Sequence, residues 1–127
     1  MRYALLISAV ALLAGCGGGA PPPAADWIVG TWQMYACENY ATGEIVPVDE
    51  LGVSGEACFE PAHRWQAWRE GWPGGRVEAS GKWELIRPNV YEVTTAGPFN
   101  ELYRRGAEFY SVGGFGPELY RFWYRRA

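Results

Sequence analysis

Between residues 77 and 85 the side chains alternate without a break. Val77, Ala79, Gly81, Trp83 and Leu85 share one phase, and Glu78, Ser80, Lys82 and Glu84 the other. A period of two sends successive side chains to opposite faces, so the segment has one apolar face and one wet face, as a half-buried antiparallel strand requires. "RPNV" (87–90) reads as a tight turn in which Pro88 and Asn89 supply the bend. The return strand then sets Tyr91 and Val93 against Glu92 and Thr94. Such a hairpin is marginal alone and needs further strands and cover for its apolar face.

The chain offers them. Apolar and aromatic runs recur as "IVGTWQMYAC" (28–37), "EIVPV" (44–48), "GEACFE" (55–60), "HRWQAWRE" (63–70), "RVEASGKWELI" (76–86), "NVYEVTT" (89–95), "AEFYSV" (107–112) and "ELYRFWYRR" (118–126). Gly, Pro or Asn separates them, and helix signals are nearly absent. Short strands at such spacing predict an all-β fold, an antiparallel sandwich or barrel.

The N-terminus reads differently. Arg2 is followed by an apolar run, Tyr3 to Leu13, in which only Ser8 is polar. It falls short of the ~20 residues that span a bilayer as a helix and has the form of a secretory signal. It ends in Leu13-Ala14-Gly15-Cys16, which resembles the lipobox of bacterial lipoproteins. The resemblance implies that residues 1–15 are removed and that Cys16 receives diacylglycerol and an N-acyl chain, enough for stable anchoring. Gly17, where an Asp would suggest retention at the inner membrane, implies the outer membrane and a periplasmic setting. Residues 17–25, "GGGAPPPAA", have neither charge nor periodicity and read as a tether. The organisation expected is signal peptide 1–15, lipidated Cys and tether 16–25, and one domain over 26–127.

Net charge is −3 with scattered arginines, which does not suit a nucleic-acid binder. With Cys16 acylated as the lipobox implies, Cys37 and Cys58 remain as a pair, and an oxidising periplasm makes a disulfide between them the expectation. Zinc lacks ligands, because His63 is the single histidine and no Cys-x-x-Cys occurs. Neither metal nor cofactor is expected. Ser54 in "GVSGE" is not a nucleophile elbow, and Glu78, Glu84 and Glu92 are spaced singly along wet strand faces. The reading is non-enzymatic, with no catalytic residue.

"VGTWQM" (29–34) resembles the Gly-x-Trp opening of the lipocalin and lipocalin-like barrels, in particular the small domains of bacterial lipoproteins. The chain has no Thr-Asp-x-Tyr-like second motif. The resemblance implies a small eight-stranded up-and-down barrel. Gly30 would open the first strand, Trp32 would plug the closed end, and Arg121 or Arg125 of the last strand would pack over the indole. Inside such a barrel Trp65, Trp83 and Tyr91 are the candidate ligand-binding residues. Outside it, "WREGWPGGR" (68–76) reads as a loop presenting Trp72 with Arg69 and Arg76 to a partner. The outer face of the last strand, with Trp123, is expected to lie partly under the segment around Trp27. The expected function is binding a small apolar or amphiphilic molecule in the cell envelope. The other reading is a solid-cored barrel that grips an envelope protein, as an inhibitor or an assembly accessory.

Overall fold

The computed structural model describes residues 26–72, 75–94, 100–115 and 117–127. The expected signal peptide, lipidated Cys16 and tether lie outside the described residues. The elements run β1 (Gly30–Asn39), β2 (Ile45–Pro47), a one-turn α1 (Val48–Leu51), β3 (Ser54–Phe59), β4 (Arg64–Trp72), β5 (Gly75–Arg87), β6 (Val90–Val93), β7 (Glu101–Arg105), β8 (Glu108–Phe115) and β9 (Glu118–Arg126). Sequential neighbours from β3 to β9 pair antiparallel, β3 also pairs with β1, and β9 pairs back onto β1. The result is a closed eight-stranded up-and-down barrel, which leaves no ring strand with an open edge along its full length.

The ring has the expected number of strands but not the expected members. "EIVPV" supplies only the three-residue β2, which lies off the ring beside the far end of β1 (Cys37↔Val46). The place it would have taken belongs to β7, "ELYRR", whose inward phase offers a single buried apolar residue, Leu102. Its adjacent arginines, Arg104 and Arg105, give it the composition of a surface segment. The β5–β6 hairpin is found in the expected register, with Trp83↔Val93 and Leu85↔Tyr91. Its turn holds Asn89 at φ +66°, a conformation Asn tolerates better than most residues.

One end of the barrel is packed solid. Trp32 is fully buried and donates its indole N–H to the Ile28 carbonyl at 2.8 Å. Trp27 and Phe109 lie against it at ring separations of 5.0 and 4.8 Å. The guanidinium that covers it belongs to Arg126, 4.2 Å from the ring centroid, and not to Arg121 or Arg125. Arg126 also donates to the carbonyls of Val29, at 2.8 Å, and Trp27, so it staples the last strand to the chain entering the first. Strand phase explains the correction. Phe122, Tyr124 and Arg126 share the inward phase of β9, whereas Arg121 faces Tyr40 and pairs with Glu38 at 3.2 Å, and Arg125 covers Tyr35.

Gly30 follows from the same contact. Its φ is +131°, and a Cβ there would stand 2.7 Å from Arg126 Nη1. No L-residue fits without displacing the arginine. Arg126→Ala is expected to cost ~2 kcal/mol, as loss of charged hydrogen bonds does. Arg125→Ala on the outer wall should stay within ~0.5 kcal/mol. Urea unfolding of the two variants checks this, and equal losses would contradict the assignment.

The expected Cys37–Cys58 disulfide is overturned. Cys58 pairs with Thr31, and Cys37 lies six residues farther along β1. At ~3.3 Å per residue that is roughly 20 Å, against the ~4.4–6.8 Å between Cα atoms that a disulfide allows. The two also face opposite ways. Cys58 sits on the outer phase between inward Ala57 and Phe59, while an extra residue at Tyr35 shifts the phase of β1 and turns Cys37 into the core. Cys37 is a free, buried thiol whose pKa is pushed up to about 11, chiefly by burial, with Arg69 pulling it down by less. Iodoacetamide at neutral pH is expected to spare Cys37 in the folded protein and label it after unfolding. A cross-linked peptide containing Cys37 would contradict this.

Candidate functional site

The inner faces of β3, β4 and β5 line up in three cross-strand rows: Phe59, Trp65 and Gly81; Ala57, Ala67 and Ala79; Gly55, Arg69 and Val77. The first row belongs to the packed end, where Phe59 stacks on Trp65 at 6.3 Å. The middle row is three methyl groups. They leave unfilled what larger side chains occupy below, and a cavity of about 430 Å³ results. Phe59, Trp65 and Phe109 floor it, and Val93 and Leu102 line its far wall. The buried Trp65 indole N–H has no hydrogen-bond partner among the described residues.

The cavity opens to one side. β6 is short and pairs only with Trp83–Arg87 of β5, so the first half of β5 borders the mouth among the described residues. Gly113, Gly114 and Leu119 of the β8–β9 hairpin also line it. Val77 and Leu119 on this rim are 53% and 39% exposed, so the entrance is apolar.

Three polar groups meet inside. Arg69 reaches from β4 across the lumen, donating from Nε to the Tyr124 hydroxyl at 3.3 Å and from Nη2 to Ser111 Oγ at 3.4 Å. Its guanidinium lies 5.0 Å from the centre of the Phe122 ring. Ser111 and Tyr124 are both buried. Among the described residues, Arg69 is the one charged residue lining the cavity.

Of the expected ligand-binding residues, only Trp65 is here. Trp83 and Tyr91, each 1% exposed, belong to the packed end. Trp83 donates to the Glu60 carbonyl at 2.9 Å and carries the His63 ring stacked on it at 4.2 Å, while Tyr91 packs on Trp27 and Trp83. His63 itself is exposed and makes its Nδ1 contact with the Trp83 carbonyl, at 3.1 Å.

The expected partner loop is mostly strand. β4 runs to Trp72 and β5 begins at Gly75. Arg69 points into the lumen, which corrects its assignment to an outer contact. Arg76 is on the outer face, bridging Glu70 at 3.2 Å and Glu78 at 2.8 Å and covering Trp68. The Trp72 side chain lies outside the described residues. A depression of about 440 Å³ over the outer face of β3–β5 is lined by Glu56, Trp68, Arg76 and Glu78, whose polar groups pair with one another.

The outer face of β9 is not covered by Trp27, which sits at the packed end under Arg104 at 4.1 Å. Instead Trp123 packs on Tyr110 at 4.9 Å and donates to Glu38 at 2.8 Å, and Tyr110 stacks on Tyr103. The outer aromatics cover one another. Compared with known proteins, the chain matches no family model, no curated protein and no solved structure.

Proposed function

We propose that the chain is a non-enzymatic lipoprotein, anchored through Cys16 to the outer membrane and facing the periplasm, whose lipocalin-like barrel binds one small apolar or amphiphilic molecule. The observation that carries the binding reading is the apolar cavity of about 430 Å³ with its apolar rim. An eight-stranded barrel is the size at which side chains either fill the interior or leave room for one ligand. Here one end is filled and the other is not, and the volume falls in the ~300–1,000 Å³ range of ligand pockets. The Gly30–Trp32–Arg126 arrangement supports the lipocalin-like reading, and the tetrapeptide ending at Cys16 supports the anchor.

Titration with a hydrophobic fluorophore, followed through tryptophan emission, tests the binding. Saturable quenching at one probe per chain, reversed by apolar competitors, is expected from Trp65 on the cavity floor. Quenching that rises linearly and does not saturate would place the aromatics in a solid core and favour a protein-gripping barrel. The anchor is tested separately by mass spectrometry of membrane-extracted protein. A triacylated Cys16 with residues 1–15 absent is the expected result, and an unmodified Cys16 thiol would remove the anchor.

A further inference from the structure

Among the described residues the cavity lining gathers its charged and hydroxyl side-chain groups at one place, and that place has a definite chemistry. Arg69, Ser111 and Tyr124 come from β4, β8 and β9, far apart in sequence, and converge in the lumen. Two hydroxyls and a planar guanidinium form a donor-rich cluster. The described lining contains no Asp or Glu. The contacts at 3.3 and 3.4 Å are longer than the ~2.9–3.0 Å usual for such bonds.

We infer that the preferred ligand is a single-chain amphiphile with a carboxylate head, bound head inward. The carboxylate would lie on Arg69 with Tyr124 and Ser111 donating from the sides, and the chain would run along the Ala67 row to the Val77–Leu119 rim. An inward head follows from the positions of the groups. The cation is within the lumen, whereas the described rim residues Val77 and Leu119 offer apolar contacts. A guanidinium suits a carboxylate because its parallel N–H groups match the two oxygens, and an apolar surround strengthens such a charge-assisted bond.

This inference rests on the carrier reading, and one titration series separates the two. Dodecanoate, dodecan-1-ol and dodecyltrimethylammonium are titrated, below their aggregation limits, into the purified full-length chain and its Arg69→Met variant, with fluorophore displacement as the readout. Dodecanoate is expected to bind about tenfold or more tightly than the alcohol, as charged hydrogen bonds in a dry site give, and the ammonium amphiphile weakest. Arg69→Met, which fills a similar volume, should remove the preference for the acid over the alcohol. Arg69→Lys keeps the charge without the fork and should retain part of the preference, which guards against a folding defect in the first variant. Equal binding of acid and alcohol by the unaltered chain would overturn the head-group inference and leave the carrier reading standing. Binding of none of the three would overturn both.

Discussion

Replacing Trp32 by Ala is expected to bring the barrel close to unfolding. The indole is fully buried, touches Trp27 and Phe109, holds the Ile28 carbonyl and carries Arg126 on its face. Removing a buried Trp typically costs ~3–5 kcal/mol, and here the Ile28 carbonyl and the guanidinium lose their partner as well. A domain of this size has about 5–15 kcal/mol in total, so one substitution takes a large share. The melting temperature should fall by roughly 15–30 °C on the usual scaling for a domain near 100 residues. Trp123→Ala, half-buried on the outer wall and bonded to Glu38, should cost much less. Circular dichroism during heating checks the pair. A loss at Trp32 no larger than at Trp123 would mean that the packed end does not hold the barrel together.

The second large effect is on binding, without loss of fold. Ala67 is the centre of the methyl row, flanked across the strands by Ala57 and Ala79. In Ala67→Phe the added ring enters the space that the cavity provides, so affinity for any apolar probe should fall about a hundredfold or more. Stability should hold or rise by ~0.5–2 kcal/mol, as cavity-filling changes often do. The combination matters because a merely disruptive variant would lose both. Unchanged probe affinity in a folded Ala67→Phe protein would show that the probe binds elsewhere, with the outer depression lined by Glu56 and Glu78 as the next place to map.

Strand phase makes much of this legible in the sequence. The alternation over Val77–Leu85 and the Pro88–Asn89 turn point to the β5–β6 hairpin, because a period of two excludes registers shifted by an odd number of residues and the turn position chooses among the rest. Phase also held two assignments that composition obscured. Arg126 is in step with Phe122 and Tyr124, and Arg69 is in step with Trp65 and Ala67, so both belong inside; an arginine near glycines simply reads as a surface residue. Other features depend on pairing, which no single strand shows. The alanine row exists only once β3, β4 and β5 are set side by side, and the convergence of Arg69, Ser111 and Tyr124 needs the barrel to close. The position of Cys37 depends on the extra residue at Tyr35, a local irregularity that reverses the phase beyond it. β7 was hidden because a short strand of charged residues needs only Leu102 to hold it against the core.

The most direct test of the carrier reading is native mass spectrometry of the chain isolated from the cells that make it. The expected spectrum shows one small apolar or amphiphilic molecule bound per chain, released on denaturation and recovered by the emptied protein from an envelope lipid extract. A spectrum of the bare chain that takes up nothing from that extract would contradict the reading and leave the cavity as a packing void.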